Sequence, residues 1–125
     1  SGDDGITMTA DVTLLVDNVS YNGIYFGLPL ITTTITIDGN GHTIDRHLTY
    51  SYDFTFLGVM GTGDLTLNDV VITRGDGGIN DGPGGILNFG NLTINESSIT
   101  ENRAPSVGMA PIIVAAAALL IFTEL

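Results

Sequence analysis

The sequence contains no cysteine and no lysine among its 125 residues. Without cysteine there is no disulfide, no CxxC metal site and no thiol catalysis. The compartment stays open, because large surface scaffolds often do without disulfides. Without lysine, the basic side chains are three arginines, Arg46, Arg74 and Arg103, against 14 acidic residues, and the formal charge is −11. No Lys/Arg patch exists to neutralise phosphates, so nucleic acid and anionic membrane surfaces are poor partners. Such acidity suits solubility, a salty environment or weak cation binding, and says little about fold. The opening Ser1-Gly2-Asp3-Asp4-Gly5 lacks the basic and apolar regions of a signal peptide. It reads as a cut, with any export signal removed or lying outside this stretch. Before residue 104 there is also no long apolar stripe at the helical period, which argues against helix.

What is present is a repeat. Hydrophobic residues make up 43% of the chain, enough for one continuous core in one domain. An apolar-Thr-apolar tripeptide occurs four times, as Val12-Thr13-Leu14, Ile35-Thr36-Ile37, Leu65-Thr66-Leu67 and Leu92-Thr93-Ile94, at spacings of 23, 30 and 27 residues. Period-2 alternation turns the aliphatics inward and the threonine outward, as in a half-buried strand. Directly after three of these tripeptides stand Asp38, Asn68 and Asn95, small polar residues suited to a turn, which would stack into a ladder in successive coils. A second inward aliphatic follows, Ile44, Ile72 or Ile99, and two positions on come Arg46, Arg74 and Glu101. These three are expected to point outward as neighbours, with Arg74 and Glu101 paired. Coils of this length fit three short strands plus turns, and strands that return in one direction make parallel sheets at the ~4.8 Å spacing. The crossover rule favours right-handed winding.

The expected fold is therefore all-β: a right-handed parallel β-helix of about four coils. It occupies residues 1–104, with irregular loops at 17–28 and 47–52. GDLTLNDVVITRGD (63–76) and GGILNFGNLTINESSITENRA (84–104) resemble repeats of right-handed parallel β-helix surface proteins, of the polymorphic outer-membrane and autotransporter-passenger type with GGxI and FxxN signatures. ITTTITIDGNGHTIDR (31–46) resembles the segment that precedes such repeats. Two departures stand out. Ile99-Thr100-Glu101-Asn102 carries the FxxN signature with Ile for Phe, and no Gly-Gly coil follows Ala104. The resemblance implies a secreted or surface-displayed scaffold with a structural or adhesive role and no catalysis. Its partners would be a surface glycan or protein and the neighbouring coils of a longer parent chain. The alternative is a truncated carbohydrate-active β-helix, a polysaccharide lyase or glycoside hydrolase.

Several residues carry candidate chemistry. Tyr21, Tyr25, Phe26, Tyr50 and Tyr52 sit in the irregular loops as ligand-facing aromatics for sugar stacking, or as a cover for the open end of the stack. His42, Asp45 and His47 form a candidate metal or acid–base set, which the turn-to-strand setting reads as structural. Asp38, Asp45, Asp69, Asp76 and Asp81 invite a hydrolase or lyase reading that needs two carboxyls about 5 to 9.5 Å apart. The interchange of Asp, Asn and Gly at the same turn positions fits turn geometry better. Asp76, Asn80 and Asp81, in the glycine-rich loop 75–85, are calcium candidates; no other cofactor is expected. Asn18, Asn91 and Asn95 head Asn-x-Ser/Thr sequons, acceptors only where the source glycosylates. Thr13, Thr36, Thr66 and Thr93 form a file one residue wide, better explained by strand propensity than by ice binding.

The tail 105–125 does not fit the repeat. Residues 107–122, VGMAPIIVAAAALLIF, are almost wholly apolar and contain Pro111. As a helix they would reach about 24 Å, short of the ~30 Å hydrocarbon thickness. Three readings stay open: a short helix over about 112–122 that caps the stack, a partial membrane anchor, or the product of a frame slip between Arg103 and Met109. A two-base shift turns alanine codons into triplets that include glycine, and Ile112-Ile113-Val114 into Tyr-Asn-Ser, the composition a fifth coil needs.

Overall fold

The computed structural model describes residues 3–21, 23–47, 53–76, 83–102, 112–114 and 120–121. Every regular element among them is a strand. The first coil contains β1 (Asp3–Thr7), β2 (Val12–Leu14), β3 (Val19–Tyr21) and β4 (Ile24–Phe26). The second holds β5 (Thr34–Asp38), β6 (Thr43–Arg46) and β7 (Leu57–Val59), and the third β8 (Asp64–Asn68), β9 (Val71–Thr73) and β10 (Ile86–Asn88). The fourth contributes β11 (Asn91–Asn95), β12 (Ser98–Thr100) and β13 (Ile112–Val114), followed by β14 (Leu120–Ile121).

These strands build a parallel β-helix with three sheets. The first sheet runs β1-β5-β8-β11 and the second β2-β6-β9-β12, every pair parallel. In the third, β7, β10 and β13 are parallel and β14 closes the edge in the antiparallel sense. On the first coil that third side is formed by the run from Phe26 to Ile31, bridged to Thr55 and Val59. Period-2 patterning explains the core. Ile37 and Leu67 stack on the first sheet, Ile44, Ile72 and Ile99 on the second, and Leu57 is paired beside Leu87's neighbour Ile86 on the third; all are buried. Phe54 and Phe56 meet edge to face at 5.7 Å inside this column, a favoured aromatic geometry.

The corners are tight because particular residues accept left-handed backbone. Asn40, Asp69 and Glu96 turn the chain from the first sheet to the second with φ of 53°, 52° and 50°. Arg74 and Glu101 do the same after the second sheet at 72° and 54°. Asn and Asp tolerate this region through local hydrogen bonding, which accounts for part of the Asp/Asn usage. At other places the coils approach so closely that only glycine fits. A Cβ on Gly75 would lie 1.9 Å from the Gly84 carbonyl oxygen, and one on Gly90 2.3 Å from that of Met60.

The expected repeat register holds for three of the four tripeptides. Ile35, Leu65 and Leu92 are in line, as are Thr36, Thr66 and Thr93. Val12-Thr13-Leu14 is the exception: it pairs with Ile44-Asp45-Arg46 on the second sheet, and Asp4-Gly5-Ile6 takes the place beside Ile35-Thr36-Ile37. Arc length is the reason. Ile6, Ile37, Leu67 and Ile94 share one column and lie 31, 30 and 27 residues apart, whereas a spacing of 23 cannot complete a circuit. The stretch 17–28 is more regular than a loop, since β3 and β4 form an antiparallel hairpin within it. The helical reading of the tail is also corrected: Ile112–Val114 adds a parallel strand beside Ile86–Asn88, and Leu120–Ile121 folds back on it. Strand pairing satisfies an edge that a helix would leave open. Among the described residues no helix is long and apolar enough to cross a membrane.

Candidate functional site

The polar chemistry gathers at the corners between sheets. At the first corner the expected ladder is present: Asn95 Nδ2 donates to Asn68 Oδ1 and Asn68 Nδ2 to Asp38 Oδ1, both at 2.9 Å. Ser97 adds a tie between coils, accepting from the Val70 N–H at 3.1 Å and donating to the Asn95 carbonyl at 2.9 Å. Asn40 Nδ2 donates to the Met8 carbonyl at 3.0 Å. Beside them, Asp11 Oδ1 accepts the Thr43 N–H at 2.9 Å and lies 3.1 Å from His42 Nδ1. The Thr43 N–H, then the His42 contact, holds the Asp11 carboxyl below its ordinary range.

The second corner holds the arginines. Arg74 Nη2 contacts Asp45 Oδ2 at 2.9 Å, so the expected Arg74–Glu101 pair gives way to one with the preceding coil. Glu101 instead lies 3.5 Å from the Thr73 hydroxyl. Arg46, expected outward, is buried. Its Nε donates to the Arg74 carbonyl at 2.9 Å, and its guanidinium faces Asp53 at 3.6 Å and Asp76 at 3.8 Å. The chain leaves strand geometry here, so alternation no longer dictates which way the side chain points. Asn102 is buried and clasps the next turn: the Gly75 N–H donates to its Oδ1 at 2.7 Å, and its Nδ2 donates to the Ile72 carbonyl at 3.0 Å. Its signal in the sequence is the last position of the FxxN signature, a motif with a structural rationale.

This placement separates the proposed catalytic and metal sets. His42 pairs with Asp11 and Asp45 with Arg74, so the candidate His42, Asp45 and His47 are not united. Among the described residues no three His, Cys, Asp or Glu side chains group as a cation site. Asp76, the described calcium candidate, is buried with its carboxylate toward Arg46; Asn80 and Asp81 lie outside the described residues.

The aromatic set is also divided. Tyr21 and Tyr25 are exposed on the hairpin, but Phe26 is fully buried and is corrected from ligand-facing to core. It packs over Gly58, where a Cβ would fall 2.8 Å from the Phe26 ring. Tyr21 lies opposite Ile24, and Ser20 opposite Tyr25. Adjacent strand residues alternate, so the two tyrosines occupy opposite faces of the hairpin and do not form one platform. Tyr50 and Tyr52 lie outside the described residues. Of the sequon asparagines, Asn18 is exposed at the hairpin base and Asn91 is exposed on the first sheet, whereas the Asn95 amide is engaged in the ladder.

Comparison with known proteins agrees with the winding. The family model for a pectate lyase-like adhesive domain matches residues 4–103. No curated protein and no solved structure matches the chain.

Proposed function

We propose that the chain, which belongs to the pectate lyase-like adhesive domain family, serves as a structural or adhesive scaffold in the extracellular space or on a cell surface, and not as a catalyst. One observation carries this reading: the carboxylates that a lyase or hydrolase would deploy are engaged structurally. Asp11 accepts from Thr43, Asp38 from Asn68, Asp45 meets Arg74, and Asp76 faces Arg46. General acid–base work on a glycosidic bond needs two carboxyls free to face a substrate across a cleft. Stacked coils hold the hairpin and the loops away from the axis, where they can meet a surface glycan or another protein. Display on an outer membrane as part of a longer passenger, beside further coils, is consistent with the same geometry.

A two-part assay tests this. Incubation with a panel of plant, bacterial and animal polysaccharides should release neither unsaturated nor reducing ends, while protein-coated beads should bind glycan or cell surfaces. Release of ends from any polymer on the panel overturns the scaffold reading in favour of a carbohydrate-active enzyme.

A further inference from the structure

The first coil differs from the others in what its inward positions meet. Ile6 stands in the column of Ile37 and Leu67, and Val12 in that of Ile44 and Ile72. The later members are covered, at 6%, 0%, 6% and 0% exposure, whereas Ile6 is 49% and Val12 40% exposed. β1 is paired on one side only, with β5, so its outer row of backbone N–H and C=O groups faces outward at the sheet edge. The exposed large apolar side chains among the described residues, including Leu15 and Val16, all belong to this coil and its hairpin. The coil-to-coil interface thus continues in register to an edge where apolar columns and strand edge are both open.

Its charge says what fits there. Asp4 occupies an inward position, opposite Ile35 in a column that continues as Leu65 and Leu92, and it is exposed. Asp11 and Asp17 carry further acidic charge on the same coil, and the first arginine in the chain is Arg46. An inward-pointing charge on an edge strand discourages pairing with a copy of itself. A second copy would bring Asp4 against an equally acidic coil, while a basic strand would be drawn in.

We propose that β1 is a recognition edge for an extended cationic segment of another polypeptide. The segment adds as a parallel strand, with a basic side chain over Asp4 and, two residues later, an aliphatic one over Ile6. Main-chain bonds supply affinity and the alternate side chains supply register, the usual division in strand addition. The inference goes beyond the scaffold reading and rests on the first coil alone.

The probe is a short synthetic peptide of sequence Thr-Thr-Arg-Thr-Ile-Thr-Thr, compared with one in which Glu replaces Arg, by fluorescence anisotropy against the 125-residue chain. The arginine peptide should bind at least about tenfold more tightly, a difference of about 1.4 kcal/mol, and this advantage should shrink as salt rises. Asp4→Arg, at an exposed site, should keep the melting temperature and reverse the preference between the peptides. Because the chain has no cysteine, a single Gly5→Cys should form a disulfide with a peptide carrying Cys between Arg and Ile, and form it more slowly when Cys is placed at the peptide's end. Equal binding of the two peptides, or an unchanged preference in Asp4→Arg, overturns the proposal. So does concentration-dependent self-association lost in Ile6→Glu, which would assign the edge to a second copy.

Discussion

Asn95 donates its side-chain amide to the Asn68 carbonyl oxygen over 2.9 Å, and Asn68 passes the same bond to Asp38 at 2.9 Å. The chain of bonds has a direction, because an ionised aspartate accepts and cannot donate. Asn68 is the link that must do both. Asn68→Ala and Asn68→Asp should each cost about 1 kcal/mol at pH 7, read by chemical denaturation. Only the aspartate variant sets a second carboxylate against Asp38, so it alone should recover as the pH approaches 4. An alanine variant with the same recovery would mean that the ladder is not the cause.

Gly75 and Gly61 make a matched pair. A Cβ on Gly75 meets the Gly84 carbonyl at 1.9 Å, whereas one on Gly61 meets nothing within 4 Å. Gly75→Ala should destabilise by about 3 kcal/mol or more, since backbone must move. Gly61→Ala should stay within about 0.5 kcal/mol of the parent. Thermal melts of the two variants side by side check the closeness of the coils.

Arg46 and Asp76 are both buried, 3.8 Å apart. Removing one charge leaves the other desolvated, so Arg46→Leu should cost about 3 kcal/mol. Arg46→Leu with Asp76→Leu should recover much of that loss, and a double-mutant cycle measures the coupling. With Asp76 turned to a guanidinium, millimolar calcium should leave the melting temperature unchanged. A rise in melting temperature with calcium would restore the loop 75–85 as a cation site.

Asp11 supplies a pH test. Its carboxyl is held below its ordinary 3.8 by the Thr43 N–H and by His42. A depressed folded value means that its contribution is fully present above 3.8 and is lost as the pH falls through the lower folded value. Asp11→Asn should therefore melt below the parent at pH 7, and the two curves should converge at strongly acid pH. A gap that widens on acidification would contradict this sign.

The sequence makes the winding legible because one coil repeats its residue types at one place. Leu65 and Leu92 are in line, and Asn68 and Asn95 form the ladder expected of them. It misleads where local pattern and arc length diverge. Val12-Thr13-Leu14 looks like Ile35-Thr36-Ile37 yet belongs to another sheet, since alternation identifies a strand but not the side of the coil on which it lies. Arg46 and Phe26 fail for a related reason. Each sits where the chain leaves a strand for a corner or a bridge, and there the rule of alternation gives no direction. The candidate site suffers most, because side chains that look chemically free in the sequence are engaged by partners about 30 residues away, as Arg74 is with Asp45.

The 27- to 31-residue register between stacked strands has a consequence under tension. The inter-strand hydrogen bonds lie along the axis of the stack, so a load that pulls the two ends apart peels one coil from the next instead of shearing all of them at once. Each coil that lets go frees roughly 90 to 110 Å of slack at full extension, and the remaining coils keep their shape. A tether built this way would lengthen in steps, dissipating force by turns while whatever it grips stays held.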